Sequence, residues 1–507
     1  MRQPSADRAL YYRQLRTTVA TVFAPELASA AARDAAGLVD RILAEFIVEE
    51  EWAPTLSEEF GSAFAALLGV PASETGAEGA GVTPERFVAL RCRAADVVAS
   101  GAGSDDPAER ERCRLLVDVE RRFLERVDEL RCAVLDEVLA ADGAVACGEC
   151  SMSSDEVAAV LRRRLPGQGG LRVTRLEVVP GGRSKETIVV SLTGTTELPP
   201  QVVVRKDRPV GILQTRAADE HAVLAVVHAH GGVPVPRPYF ADEVECSDGR
   251  RGEEARGGES EGGRAQRTFL VMERVPGRRA GEYFPELAAP PLSDRAALGS
   301  QLAVALAHLH AIPLDDVEGT GLDLQAEVSA TSLTAAVEGM AARLGALSGP
   351  PVAAFGLARQ WLLDHVDDVV PAGRLCLLQG DVGLHNMLVD GDRLTALVDW
   401  EAATVGPPAR EMAAAWPAAT ALMDWPGFVA TYRAAGGREE ATEPRAVTYY
   451  RVFFALGACM SSRTGGHLFR TGAKRDLVTA HSGLDAHFRA QRNLARALAD
   501  AAALDAG

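Results

Sequence analysis

The sequence predicts an α+β protein: an all-α N-terminal part, then a small lobe of antiparallel strands, then a larger and mainly helical lobe. In the first 145 residues, apolar side chains such as Leu38, Ile42 and Phe46 recur at helical spacing. Between about 171 and 275, short β-branched runs such as TIVVSL alternate with turn residues, which is typical of antiparallel strands. Helical spacing then returns, and it gives way only to three short apolar runs between 375 and 399.

Length and composition describe a globular protein of more than one domain. The 507 residues exceed one ordinary core, and 47% hydrophobic with 24% charged residues is the balance of a globular chain. The net charge of −17 argues against nucleic acid as a partner, because phosphate contacts need a basic surface. No window approaches the roughly 18 apolar residues of a membrane span. We therefore expect no membrane association. Eight scattered cysteines form no disulfide framework, so we also expect a cytoplasmic location.

Residues 1–145 are predicted to form a helical domain of their own. A charged segment at 109–139 places Leu115 and Phe123 on one apolar stripe, which is typical of a buried helix face. No pattern in this part indicates chemistry, so packing, a homodimer through these helices and regulation of the following part all stay open. We expect the chain from about Met152 onward to fold without this domain.

The second part, 151–275, begins with a helix and continues as strands. Ser153 and Glu156 have the spacing of a capping box, which predicts the helix start. The turn PGGRSKET then separates two strands; glycine lets backbone N–H groups approach a phosphate closely, although hairpin turns are also glycine-rich for steric reasons. An acidic stretch at 242–266 has no apolar period and is predicted to be a disordered insertion.

Three polar residues stand next to the short apolar runs of the last part. Asp381, Asn386 and Asp399 stand at the ends of these runs, in the stretch LCLLQGDVGLHNMLVDGDRLTALVDWEAATVG. Two carboxylates and an amide are oxygen ligands suited to a hard cation such as Mg²⁺ that carries phosphates. Aspartates also commonly end strands and cap turns, which is the structural alternative for each of them taken singly.

The same stretch carries a resemblance to a known family. QGDVGLHN followed by VDWEAATVG resembles the signature of the aminoglycoside phosphotransferase-like kinases, and the resemblance covers roughly the last 350 residues. It implies a bilobal protein-kinase-like fold with a small lobe at 151–275 and a helical lobe at 276–507. It further implies that Asp381 is the catalytic base and that Asn386 and Asp399 bind Mg²⁺. Gln379 departs from the family's usual His, and we expect it to hydrogen-bond the loop backbone.

The resemblance also implies an ATP site in the small lobe. The glycine turn would contact the ATP phosphates. A cation after the third strand would also bind the phosphates, and a Glu on the next helix would be its ion-pair partner. The backbone of the hinge between the lobes would bind the adenine. The residues that this implies are Gly181, Gly182, Arg183, Ser184, Lys185, Arg205, Glu220, Met272, Glu273 and Arg274. An ordinary surface ion pair is the alternative for Arg205 and Glu220. Beyond the catalytic stretch, Glu411 is expected to orient backbone.

The function that follows from this resemblance is ATP-dependent phosphorylation of a hydroxyl group on a small molecule. The acceptor stays open between an antibiotic-like hydroxyl and a hydroxyacyl-CoA; the motifs VRKDRP and VDWEAATVGPPAREMA look closer to kinase domains associated with acyl-CoA metabolism. One alternative is a nucleotide-binding regulatory module without turnover, which uses the N-terminal helices as its output and is favoured by Gln379 and Arg205. A helical scaffold is a third reading, without positive support. Arg463, Arg470, Lys474 and Arg475 form either a solvated loop or a site for an anionic acceptor.

Overall fold

The structure is a computed structural model in three parts. It describes residues 12–13, 15–19, 30–71, 82–136, 152–179, 185–207, 216–245, 266–281, 294–324, 328–347, 352–369, 375–473, 479–480, 483 and 486–506. In these residues no helix combines the length and apolar character that crossing a membrane requires. The helices of the N-terminal part and the one that opens the second part are α1 Ala30–Leu68, α2 Pro84–Gly101, α3 Pro107–Asp136 and α4 Ser154–Arg164.

The N-terminal helices pack around a cluster of phenylalanines. The rings of Phe60, Phe87 and Phe123 meet edge to face, with centroids 5.0 and 5.8 Å apart. The predicted stripe on α3 was wrong at Leu115, which is 43% exposed, whereas Leu116 is fully buried. The charged residue Glu120 lies on the buried face, and this hid the true centre of that face from the sequence pattern.

A five-stranded antiparallel sheet forms the second part. Its strands have the spatial order β1-β2-β3-β5-β4, and α4 packs against β1 over a separate apolar core. The predicted capping box is confirmed, since Ser153 and Glu156 exchange side-chain to backbone hydrogen bonds. The strands are β1 Arg172–Val179, β2 Lys185–Thr193, β3 Gln201–Asp207, β4 Pro238–Glu245 and β5 Gln266–Glu273, and the helix α5 Ala217–His230 follows β3.

The prediction of a disordered insertion at 242–266 was wrong at both of its ends. Residues 242–245 belong to β4 and Gln266 begins β5, with Glu245 paired to Gln266. The Asp242 carboxylate accepts hydrogen bonds from Arg163 and Arg164 of α4. Charged side chains are common on an edge strand, and here they concealed the strand period. Residues 246–265 lie outside the described residues.

The third part is mainly helical and carries two small sheets. Its strands are β6 Arg278–Arg279, β7 Cys376–Leu378, β8 Met387–Asp390, β9 Arg393–Leu397 and β10 Thr404–Gly406. β6, β8 and β9 form one sheet and β7 pairs with β10 in the other. Its helices are α6 Arg295–Ala311, α7 Ala330–Ala346, α8 Ala353–Asp364, α9 Pro408–Leu422, α10 Trp425–Ala434, α11 Pro444–Arg470 and α12 His487–Ala506.

The N-terminal helices share one apolar core with the third part. α2 packs on α8, and α3 packs on α8 and α12. Across this boundary, Asp128 of α3 accepts hydrogen bonds from Arg489, at 2.9 Å, and from Arg492 of α12. Removing the N-terminal helices would take away the carboxylate of both arginines and would expose the apolar faces of α8 and α12 that pack on α2 and α3. This packing is a physical reason to expect that the chain from Met152 does not fold alone.

Candidate active site

The loop that carries Asp381 begins where the buried strand β7 ends. Gly380 has a φ of 85°, and a Cβ there would lie 2.2 Å from the Ala402 carbonyl oxygen, so only glycine fits. Behind the turn, the buried carboxylate of Glu411 accepts hydrogen bonds from the backbone N–H groups of Gln379 at 2.5 Å and Gly380 at 3.1 Å. Burial raises the pKa of Glu411 to about 7, against the pull of these donors. The prediction that Glu411 orients backbone is confirmed.

Asp381 is held from one side and open on the other. Its Oδ2 accepts a hydrogen bond from Asn386 Nδ2 at 3.0 Å, and His385 Nε2 lies 3.3 Å from the same oxygen. Asn386 Nδ2 also donates to the Asp381 carbonyl oxygen at 2.9 Å. Asn386 is buried, whereas the Asp381 side chain is 43% exposed. A carboxylate fixed in this way can accept a hydrogen bond from a hydroxyl that approaches from the open side.

Asp399 follows β9 in a strained backbone conformation. Its φ of 65° and ψ of 70° are left-handed, and within the described ranges it is the only residue other than glycine with a positive φ. Its Oδ1 accepts a hydrogen bond from Arg205 Nη2 at 2.8 Å. Such strain persists only where the surroundings enforce it, and it is common at functional sites.

Gln379 hydrogen-bonds to both the Asp381 loop and the backbone at Asp399. Its Nε2 donates to the carbonyl oxygens of Val398 at 3.1 Å and Asp399 at 2.7 Å, and its Oε1 accepts from the Asp381 N–H at 2.7 Å. The residue is fully buried. The predicted role, hydrogen bonding to the loop backbone, is confirmed, and both polar ends of the amide take part in it.

Arg205 connects the small lobe to Asp399. Its Nη1 donates to Glu220 Oε1 at 2.5 Å, so the predicted ion pair forms, and it is buried rather than on the surface. Burial raises the pKa of Glu220 to about 7, while the Arg205 charge lowers it. Glu220 Oε1 also accepts from the Trp400 N–H at 3.3 Å. One guanidinium therefore spans a helix of the small lobe and the strand end that carries Asp399.

The comparison with protein families identifies the family. Residues 175–448, more than half of the chain, match the model of the phosphotransferase enzyme family. The chain belongs to this family. The search of the curated proteins found no match.

Three solved structures are similar to this chain. A macrolide 2′-phosphotransferase from Brachybacterium faecium, as the apoenzyme, is 20% identical, with a TM-score of 0.42 over 65% of this chain and 97% of that one. A thermostable mutant of an aminoglycoside phosphotransferase, in complex with ADP and hygromycin B, is 17% identical, with a TM-score of 0.42 over 66% and 98%. The GDP complex of aminoglycoside 2′-phosphotransferase-IIIa is 16% identical, with a TM-score of 0.44 over 68% and 99%.

The predicted phosphate turn of this phosphotransferase is described only at its end. Gly181, Gly182, Arg183 and Ser184 lie outside the described residues. Lys185 does not extend toward solvent as a residue of an open turn would: it begins β2 and is buried, and its Nζ lies 3.3 Å from Asp207 and 3.5 Å from Glu401. Strand alternation turns it toward the inner face of the sheet.

The predicted hinge lies at the end of β5. Met272 is buried between β3 and β4, and the Glu273 N–H donates to the carbonyl oxygen of Arg237 at 2.8 Å. The Arg274 side chain hydrogen-bonds to Gln201 of β3. Because the Glu273 donor is engaged in this way, an adenine contact at the hinge would have to use other backbone groups, and the assignment stays a prediction.

Sequence reasoning missed two residues of the site. His385 lies within the D-V-G-L-H-N loop and touches Asp381, and its i,i+4 spacing from Asp381 was the available signal. Glu401, two residues after Asp399, receives the Lys185 ion pair. Its position in the D-W-E motif gave no indication of that partner, because the contact joins residues far apart in sequence.

The oxygen atoms left around Asp399 and Asn386 fit a magnesium ion. The Asn386 amide nitrogen is directed to Asp381, which leaves Oδ1 as an acceptor, and Asp399 keeps Oδ2 beside the oxygen that Arg205 holds. Across the described ranges, no group of three or more His, Cys, Asp and Glu could by itself hold a metal ion. Mg²⁺ commonly binds through one or two protein ligands and completes its shell with water and substrate phosphates, so two ligands suffice.

Proposed function

We propose that this phosphotransferase uses ATP and Mg²⁺ to phosphorylate a hydroxyl group on a small molecule. One observation carries the proposal: Gln379 fixes the loop of Asp381 and Asn386 against the backbone of Asp399, through hydrogen bonds of 2.7 Å on each side. A base for the acceptor and two ligands for a phosphate-bound cation are thereby held in one rigid frame, which is the arrangement that phosphoryl transfer needs.

Each residue has a stated part in the reaction. Asp381 orients the acceptor hydroxyl and takes its proton, while Asn386 and His385 hold the carboxylate in place. Asn386 and Asp399 would hold Mg²⁺, which supplies neutralising charge to the transferred phosphoryl group. Arg205 supplies positive charge for the nucleotide phosphates, since its guanidinium keeps its charge even when buried.

The acceptor is proposed at the level of its hydroxyl group. An antibiotic-like hydroxyl and a hydroxyacyl-CoA both remain within the proposal, and the motifs VRKDRP and VDWEAATVGPPAREMA favour the second. A screen of both classes, read as acceptor-dependent ADP release, distinguishes them.

Two variants test the division of roles. Asp399→Asn should weaken Mg²⁺-ATP binding by about tenfold or more, because it removes one ligand charge. Asp381→Asn should leave that affinity within about twofold and abolish transfer, because Asp381 acts on the acceptor. Calorimetry with a non-hydrolysable ATP analogue measures the first effect and ADP release the second. Equal effects of both variants on nucleotide affinity would contradict the assignment.

A regulatory module without turnover is the second candidate. The contact of Arg205 with Asp399 favours it, because the guanidinium already occupies one oxygen of a proposed metal ligand. This candidate predicts that nucleotide raises the melting temperature while no acceptor causes ADP release. Acceptor-dependent ADP release that Asp381→Asn abolishes would exclude it.

A further inference from the structure

Arg410 is a half-buried cation that forms no ion pair with any of the residues that the structure describes. It lies in the first turn of α9, next to Glu411, and its side chain makes no hydrogen bond or ion pair in the part of the chain that the structure describes. Glu411 is engaged with the backbone of Gln379 and Gly380, so it does not serve as the partner. In a chain with 70 acidic and 53 basic residues, such a cation would readily find a carboxylate if its role were only structural.

The surroundings of Arg410 hold the guanidinium in place. Its Cζ lies 5.7 Å from the centre of the Phe454 ring on α11. A Cβ on Gly406, the final residue of β10, would be 3.8 Å from Arg410 Cδ and 3.9 Å from Nη1, so the side chain passes over the backbone of that residue. The position is therefore defined by packing on two sides, which leaves the nitrogen donors free for a ligand.

Tyr450 supplies a second unused donor. It is 2% exposed, and in the described residues its hydroxyl has no hydrogen-bond partner. Tyr450 lies one helical turn before Phe454 on α11, on the same face as the ring beside the Arg410 guanidinium, so the two donors are neighbours. Burial raises the pKa of Tyr450 to about 12, and the positive charge of Arg410 acts against that rise. A buried hydroxyl without a partner is costly unless a ligand completes it.

These groups lie beside the proposed catalytic loop. Arg410 immediately precedes Glu411, whose carboxylate accepts hydrogen bonds from the backbone N–H groups of Gln379 and Gly380 at the start of the Asp381 loop. The Glu411 carboxylate senses the charges of both Arg410 and Asp381. A ligand group bound at Arg410 would thus lie near the loop whose Asp381 we assign to the acceptor hydroxyl.

We propose that Arg410 and the Tyr450 hydroxyl form an oxyanion subsite for the acceptor, which makes the substrate an anionic hydroxyl compound carrying a carboxylate or a phosphate monoester. A planar guanidinium binds such groups through two parallel hydrogen bonds, and the phenol adds a third donor. The subsite disfavours a cationic acceptor, because two positive charges would meet at Arg410. This inference rests on the proposed function for its link to transfer, but the binding itself can be measured separately.

The test uses the full chain without nucleotide and measures binding by saturation-transfer NMR titration. The probes are matched pairs: 3-hydroxybutyrate with 3-hydroxybutanamide, and glycerol 3-phosphate with glycerol. At least one anionic probe should bind about tenfold or more tightly than its neutral partner, and the pair that does so identifies carboxylate or phosphate as the group. Arg410→Gln should remove that preference, Arg410→Lys should keep part of it, and Tyr450→Phe should weaken it by a few-fold. Arg343→Gln, on the exposed face of α7, is the matched control and should change nothing.

Three results would overturn the inference: no anionic probe binds, the neutral partner binds as tightly, or Arg410→Gln keeps the full preference. Transfer is read separately as ADP release with Mg²⁺-ATP. If the anionic probes bind through Arg410 but no acceptor is phosphorylated, the kinase proposal fails and the oxyanion subsite stands.

Discussion

The side-chain amide of Gln379 donates a hydrogen bond of 2.7 Å to the backbone carbonyl oxygen of Asp399, the strained residue at the end of β9. The same amide accepts from the Asp381 N–H at its other end. Since Gln379 is buried, water does not compete for these bonds. The spacing between the proposed base and the proposed metal ligand therefore depends on one neutral side chain.

Gln379→His should keep turnover within about threefold, because imidazole also carries one donor and one acceptor when neutral. Gln379→Leu should lower kcat by about a hundredfold. The variant leaves the Val398 and Asp399 carbonyl oxygens without a buried donor, at a cost of about 1–3 kcal/mol for each unsatisfied group. The Asp381 loop can then move away from Asp399. Steady-state kinetics between pH 6 and 9 measures both variants. A new ionisation in the profile of Gln379→His would show a role in proton transfer and contradict the positioning role.

Arg205→Met should destabilise the fold by about 3–5 kcal/mol at pH 8, because it leaves Glu220 buried without its cation. Arg205→Lys should be milder, but one ammonium cannot reproduce the fork that reaches Glu220 and Asp399 together. Urea unfolding measures the cost, and the double variant Arg205→Met with Glu220→Leu should recover part of it. If Arg205→Met is as stable as wild type, the pair has no structural role.

Asp128→Ala should destabilise the fold by about 3–5 kcal/mol, because Arg489 and Arg492 stay buried without a carboxylate. Glu125→Ala removes partly exposed ion pairs with Arg121 and Arg496, so its expected cost is at most about 1 kcal/mol. A chain truncated before Met152 should be insoluble or should unfold at a markedly lower temperature. A truncated chain that is soluble and melts like the full one would show that the shared core is dispensable.

The free energy of unfolding should decrease at acid pH because of the buried His310. Burial lowers the pKa of His310 to about 3, and its Nδ1 lies 2.7 Å from the Tyr432 hydroxyl. The unfolded chain, with a His pKa near about 6.5, binds the proton first, so stability falls as pH decreases below that value. Between pH 7 and 5, His310 should lower the free energy of unfolding by about 2 kcal/mol.

His310→Gln should reduce that acid-induced loss, with urea unfolding at both pH values as the measurement. His228→Gln on the exposed end of α5 is the control and should leave the loss unchanged. His487, whose pKa burial lowers to about 4, contributes in the same direction and remains in both variants. An unchanged pH dependence in His310→Gln would contradict the assignment.

Local patterns in the sequence predicted which residues of the candidate site lie close together. The order and spacing of Asp381, Asn386 and Asp399 are set by two short strands and one turn, so sequence distance translates into spatial distance. The same holds for Glu411, which lies one helix turn beyond β10. These relationships were accessible because each depends on a few neighbouring residues.

Contacts between distant segments could not be predicted in this way. The direction of Lys185 depends on which face of the sheet is inward, and its partner Glu401 is more than two hundred residues away in the chain. The buried cluster of Asp128 with two arginines was also hidden, because a charged residue inside a helix pattern is ordinarily exposed. For this reason Leu115, rather than its neighbour, was assigned to the buried face of α3.

The ion cluster at Asp128 has a consequence for how the chain is made. Asp128 and Arg489 are 361 positions apart, which at about 5–20 residues per second corresponds to roughly 20 to 70 s of synthesis. During that interval α3 has emerged from the ribosome with an apolar face and a carboxylate whose partners do not yet exist. We therefore expect the nascent N-terminal helices to be a preferred target for chaperones until α12 is released and completes the core.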